Sequence, residues 1–167
     1  AMDRYIVEDD YDSEFRLQGK PIPSLQSIDT SEKVIYINTF SKSLTSTIRI
    51  SYMVLPKPLI AQYEKELGFY SCTVSNFEQY TLAKFIEKGY LEKHINRMRT
   101  YYRSLRDTIL TCIKNQPGFS KVTILEEDAG LHFLLKVETN MSDAELIEKA
   151  KEQGIHVSCL SQYYSEP

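Results

Sequence analysis

Thr39-Phe-Ser-Lys-Ser-Leu-Thr-Ser-Thr-Ile-Arg-Ile-Ser-Tyr52 is the stretch around which the chain is organised. It holds one lysine, Lys42, among the hydroxyls of Thr39, Ser41 and Ser43, and Arg49 follows seven residues later. An apolar run, Val34-Ile-Tyr-Ile-Asn38, leads into it, and a second run over 49–55 leads away; both read as strands. Only about ten residues part them, fewer than a parallel crossover needs, so they are predicted to be antiparallel. Lys42 and Arg49 then share one rim. Hydroxyls and a guanidinium suit phosphate oxygens, which leaves the lysine free for a Schiff base. Pyridoxal phosphate needs that combination. A polar, solvated surface loop is the competing reading of the local pattern.

Upstream, Tyr5-Ile-Val7 is a short apolar run that stops at Glu8-Asp-Asp-Tyr-Asp12. A strand ending in carboxylates places them at its carboxyl end, where open α/β sheets bind ligands. A solvated turn after an edge strand would look the same. If this strand runs parallel to 34–38, Asp9 joins Lys42 and Arg49 on the rim. Residues 12–32 carry Gly19, Pro21 and Pro23 and read as a loop.

Downstream, Pro56 and Pro58 open a helix over about 58–68. Ser75-Asn-Phe-Glu78 is a capping-box sequence whose helix should run to about Lys88 and stop at Gly89. A long helix is predicted over about 90–115, because Leu91, Ile95, Met98, Tyr102, Leu105, Ile109 and Cys112 form one apolar seam. Arg97, Arg99, Arg103 and Arg106 lie mostly off that seam. Diluted by Glu92 and Asp107, they read as a salt-bridged or solvated face and not as a nucleic-acid contact. Further strands are predicted at 122–125, 131–137 and 155–158. A second capping box, Ser142-Asp-Ala-Glu145, opens a helix ending at Gly154. The whole is α/β: a partial large domain with a mixed sheet over 3–89, then a small α/β domain over 90–167. The few strands before residue 56, and an end soon after a strand, suggest a piece of a longer protein.

Composition narrows the class. With 167 residues, 42% apolar and 26% charged, the chain is of ordinary globular type, and its net charge of −3 argues against this segment itself gripping nucleic acid. No apolar run approaches the roughly 20 residues of a membrane span. Cys72, Cys112 and Cys159 lack CxxC spacing and read as buried thiols of a cytoplasmic protein, not as disulfides or zinc ligands. His94, His132 and His156 make no ligand spacing, and no metal site is expected.

Glu8-Asp-Asp-Tyr-Asp-Ser-Glu-Phe-Arg16 and Thr39-Phe-Ser-Lys-Ser-Leu44, with Arg49 and Tyr52-Met-Val-Leu-Pro56, resemble the aminotransferase-like domain of MocR-type regulators in the GntR superfamily. Gly89, His94-Ile-Asn-Arg-Met-Arg99, Tyr102 and Ala129-Gly-Leu-His132 continue the match. The resemblance covers essentially the whole chain and implies the fold of class I, pyridoxal-phosphate fold type I aminotransferases. By it, Lys42 matches the lysine of the internal aldimine and Asp9 the partner of the ring nitrogen. Tyr11 matches the tyrosine at the ring oxygen, and Thr39, Ser41 and Arg49 the phosphate ligands. It further implies a homodimer and an amino compound as effector or substrate. DNA would be bound through a winged helix-turn-helix upstream of Asp3, where the glycine-rich phosphate loop and the ring-stacking aromatic would also lie. The isolated chain is accordingly expected to bind pyridoxal 5'-phosphate weakly and to be inactive. The sequence departs from the family pattern at Ser46, often proline, and at Ser51, often glycine. No arginine follows Arg106, so either the usual arginine for a substrate carboxylate lies beyond Pro167 or the protein does not bind amino acids in the usual way.

Strand alternation favours Asp9 with Tyr11 on the cofactor side, and Asp10 with Asp12 on the other. Glu8 is the rival, on the opposite face of a regular strand. By this reading Asp9→Asn should weaken cofactor retention, whereas Asp10→Asn should do little to it. Two other functions share these residues. One is a genuine aminotransferase in which Lys42 is also the base of a 1,3-proton shift. The other is a structural or dimerisation piece without ligand chemistry.

Overall fold

The computed structural model describes residues 4–10, 12–20, 22–128 and 131–165. Tyr11, expected at the cofactor's ring, lies outside the described residues, as do Ala129 and Gly130.

Three strands, β1 (Ile6–Asp10), β2 (Val34–Thr39) and β3 (Ser51–Val54), form one sheet in the order β1-β2-β3. β1 is parallel to β2, with Ile6 opposite Val34 and Asp10 opposite Asn38. β2 is antiparallel to β3, with Tyr36 opposite Val54 and Thr39 opposite Ser51. The carboxyl ends of β1 and β2 and the start of β3 therefore share a rim. β3 is shorter at its start than the apolar run suggests. Arg49 has φ 47°, a left-handed conformation that cannot continue a strand.

Side-chain alternation divides this sheet into two chemically different faces. Val7, Asp9, Ile35, Ile37, Thr39, Ser51 and Met53 share one. Ile6, Glu8, Asp10, Val34, Tyr36, Asn38, Tyr52 and Val54 share the other. On that second face the Glu8, Asp10, Tyr36 and Asn38 side chains are hydrogen-bonded. The Glu8 carboxylate accepts from Leu25 N–H (2.7 Å) and Gln26 N–H (2.9 Å), closing the open start of α1 (Leu25–Ile28). The Asp29 carboxylate accepts from the N–H groups of Ser31, Lys33 and Val34 and fixes the turn into β2. So 12–32 is more structured than a loop, with a 3-10 turn at Ser13–Phe15 as well as α1.

A single helical turn, α2 (Phe40–Ser43), follows β2 directly, its first N–H groups turned toward Thr39. Next come α3 (Lys57–Leu67), α4 (Asn76–Glu87) and α5 (Tyr90–Lys114). Ser75 caps α4 by accepting from Glu78 N–H, while its hydroxyl donates to the Glu78 carboxylate at 2.9 Å. Gly89 ends α4 and begins α5 at φ 69°, a turn available to glycine without strain. The α5 seam is only partly covered: Leu91, Ile95, Met98 and Tyr102 are half-buried, but Leu105 and Ile109 are 43% and 39% exposed.

β4 (Val122–Leu125) and β5 (Leu134–Val137) form an antiparallel pair, and α6 (Asp143–Glu152) follows with the complete Ser142/Glu145 capping box. The strand expected over 155–158 does not form. Ile155 N–H is taken by the Ala150 carbonyl (2.9 Å) as the chain turns out of α6, and among the described residues no ladder partner meets those that follow. The cysteines also differ from expectation. All three are free, but Cys72 and Cys112 are exposed, because one sits in the α3–α4 connection and the other at the uncovered end of the seam.

Candidate functional site at the sheet rim

The rim is built by the pairing of β2 with β3. Thr39 lies opposite Ser51, and the bond from Phe40 N–H to the Ile50 carbonyl (2.9 Å) closes the 40–50 loop. Lys42 rides on α2 within that loop, and Arg49 stands two residues before Ser51 at its other end. Thr39 is the organiser. Its hydroxyl accepts from Ser41 N–H (3.2 Å), lies 3.1 Å from the Ser41 hydroxyl, and donates to the Ile50 carbonyl (3.2 Å). A β-branched residue that both ends a strand and caps a turn puts two hydroxyls beside the lysine.

Lys42 and Arg49 are exposed, and neither takes part in an ion pair among the described residues. Two unneutralised cations flanked by hydroxyls favour an anion. Arg49 adds backbone strain to this. A non-glycine residue at φ 47° is held in a sparsely populated conformation, and such outliers gather at functional sites.

The three adjacent acids of β1 have separate fates. Glu8 caps α1, as described above. Asp10 accepts from Ser13 N–H (3.2 Å), the Ser13 hydroxyl (2.8 Å) and the Tyr36 hydroxyl (2.9 Å). Asn38, 3% exposed, donates to the Tyr36 oxygen (2.8 Å) and to Glu14 (3.3 Å). Burial first, and then the bond to Asp10, push the Tyr36 phenol well above its ordinary pKa, so it stays a donor. Asp10 is thus a structural hub of the turn that follows β1. Asp9 lies on the opposite face from both neighbours, exposed and without a hydrogen-bond or ion-pair partner among the described residues. Of the three carboxylates it is the one the fold leaves open.

Sequence reasoning singled out the arginines of α5 but missed their backbone acceptors. Arg99 donates to the Glu14 carbonyl, Arg103 to the Leu17 carbonyl (2.8 Å) and Arg106 to the Glu127 carbonyl (2.8 Å). Arg103 is exposed and Arg106 also pairs with Asp107 (2.8 Å) and Asp128 (3.6 Å), so the expected solvated or salt-bridged face is there in part, with backbone carbonyls as added acceptors. Their spacing of four and three on one helix face was the available signal.

A cavity of about 620 Å³, lined by Phe40, Ile50, Tyr52, Leu82, Ile86 and Leu91 among others, lies between the sheet and the α4–α5 pair. None of Asp9, Lys42 or Arg49 lines it. It is a mainly apolar space bounded by Ser43, Ile50 and Ser51 of the rim loop and by Leu91 and Ile95, at the half-buried start of the α5 seam.

The sheet is mixed, its rim carries a lysine, an arginine, two hydroxyls and an open aspartate, and the chain belongs to the family described as aminotransferase class I and II, matched over residues 10–167. It is 47% identical over 160 residues to the HTH-type transcriptional regulator YdeL of Bacillus subtilis, covering 96% of this chain and 34% of that protein. It is 36% identical over 166 residues to the probable rhizopine catabolism regulatory protein MocR of Rhizobium meliloti, covering 99% of this chain and again 34% of the relative. Among solved structures, the kynurenine aminotransferase of Pyrococcus horikoshii superposes with a TM-score of 0.76 at 27% identity, over 96% of this chain and 39% of that one; its crystals contained PMP. The chain thus spans about a third of the length of the curated relatives it matches. The rim's donor set is chemically suited to a pyridoxal phosphate group, with an amine to bond, a cation and hydroxyls for a phosphate, and a carboxylate for a ring nitrogen.

Proposed function

We propose that the chain is part of the pyridoxal 5'-phosphate-binding, effector-sensing domain of a MocR-type transcriptional regulator. The observation that carries this reading is the rim itself: Lys42 and Arg49 without ion-pair partners among the described residues and Asp9 on the open face, all at one edge of the sheet. When bound, the cofactor supplies an electrophilic carbon and an electron-withdrawing ring. Lys42 is the amine that bonds to it covalently. Arg49, Thr39 and Ser41 hold the phosphate. The Asp9 carboxylate holds a proton at the ring nitrogen, and Tyr11 is assigned to the ring oxygen. Similarity to HTH-type regulators along nearly the whole chain supports the regulatory setting. An amino compound competing with Lys42 would be the signal. DNA contact would belong to a region outside this chain, and a homodimer is the proposed assembly, in the cytoplasm. The segment to residue 89 is assigned to a large domain and that from residue 90 to a small one.

A genuine aminotransferase is the second reading, favoured by the 29% identity over 154 residues to aromatic-amino-acid aminotransferase 1 of Thermococcus litoralis. In it Lys42, once released, would also carry the proton between two carbons.

One experiment tests the covalent role without an activity. Full-length protein is loaded with pyridoxal phosphate, reduced with borohydride, digested and mapped. The mass of a phosphopyridoxyl group is expected on Lys42. Its appearance on another lysine, or on none, removes the assignment.

A further inference from the structure

The chain leaving β1 is held by α5 through its backbone. β1 ends at Asp10, whose carboxylate closes the turn onto Ser13. The Glu14 carbonyl then receives Arg99, and the Leu17 carbonyl receives Arg103 at 2.8 Å. Between these two grips sits Phe15, fully buried and edge-on to Tyr102, with ring centroids 5.8 Å apart at 81°. Leu17 N–H meanwhile donates to the Asp128 carbonyl (3.2 Å), and the neighbouring Glu127 carbonyl receives Arg106, 6% exposed.

Two features separate this row from general helix packing. The acceptors of Arg99 and Arg103 are carbonyls and not carboxylates, so the contacts fix position without neutralising charge. A guanidinium suits that task because its planar donors have a set direction, which an ammonium lacks. In addition, Asp9 stands one residue from the carboxyl end of β1, where strand pairing gives way and the segment that follows sets where that end sits.

We propose that Arg99 and Arg103 are positioning residues that hold Asp9 at the rim by gripping the segment that follows it. The proposal rests on the reading of Asp9 as the ring-nitrogen partner. Neither arginine touches the ligand.

The test is a double-mutant cycle in the full-length protein with pyridoxal phosphate as the probe. R99Q/R103Q is expected to weaken its binding at least tenfold in the parent. In an Asp9→Asn background the same pair should weaken it less than twofold further, because the residue they act through is already neutral. R99K/R103K should behave like the glutamine pair and keeps the charge, which covers the case in which R99Q/R103Q fails to fold. An equal loss in both backgrounds, or no loss in the parent, overturns the proposal. If the parent itself takes no pyridoxal phosphate at Lys42, the function proposed above has failed, and amide exchange still decides the positioning. Exchange over residues 9–17 should accelerate at least tenfold in the double variant, with 34–39 unchanged. Unaltered exchange over 9–17 overturns it.

Discussion

Replacing Arg49 by glycine should move stability and binding in opposite directions. At φ 47° an arginine bears a steric cost of about 1–2 kcal/mol that glycine does not. Glycine gives back about 0.5–1 kcal/mol through the greater freedom of its unfolded chain. The exposed guanidinium has no ion-pair partner among the described residues to lose. The net expectation is a gain of about 0–1.5 kcal/mol. With a urea dependence of about 2 kcal/mol per molar, the midpoint rises by up to about 0.75 M. Binding moves the other way. A charge-assisted hydrogen bond to phosphate is worth about 1.5–3 kcal/mol, so the full-length variant should hold pyridoxal phosphate about 10- to 150-fold more weakly. Urea unfolding followed by circular dichroism gives the first quantity and cofactor titration the second. A lowered midpoint would mean that the guanidinium stabilises the fold, and an unchanged affinity would mean that it does not meet the phosphate; either result refutes the reasoning.

Asp10→Asn should destabilise by about 1–2 kcal/mol, since it weakens a carboxylate holding three hydrogen bonds, whereas Asp9→Asn should leave the urea midpoint unchanged and weaken cofactor retention. The reverse pattern in a melt of both variants would invalidate the face assignment. Gly89→Ala meets no atom within 4 Å of its new Cβ, so its cost is conformational alone, about 1–2 kcal/mol, seen as a lower midpoint; no change would argue against the left-handed junction. Acid should loosen two turns. Backbone hydrogen bonds, Ser31's first, depress the Asp29 carboxyl below its usual 3.8, and Ser142's depress Glu145 below 4.5. Both contributions are present above those usual values and are lost as pH falls through the depressed ones. Asp29→Asn and Glu145→Gln should therefore flatten the loss of stability below about pH 4.5 measured by unfolding at stepped pH, and an unaltered acid limb would count against it.

What the sequence disclosed was mostly local. Both serine–glutamate pairs sit where helices begin, and Gly89 and Gly154 stand at left-handed exits, because caps involve neighbours within a few residues. The short span between β2 and β3 was enough to make them antiparallel. Non-local partners were not legible. The task of Asp10 depends on Tyr36, 26 residues away, and the arginines of α5 end on carbonyls 85 and 86 residues back. Every residue has a carbonyl, so no residue type marks such an acceptor. The apolar alternation at 155–158 likewise says what could pair, and not whether a partner is there.

The three acids at the end of β1 have a consequence for how this strand can change over time. Glu8 holds a helix start, Asp10 holds a turn, and Asp9 alone stands on the open face. Inserting or deleting one codon anywhere in Ile6–Val7 would carry all three to the wrong side together. The helix start and the turn would lose their carboxylates, and two acids would be left on the face that now carries one. Point substitutions can be explored here one acid at a time. Changes in length cannot, and the strand is in that sense frozen in frame.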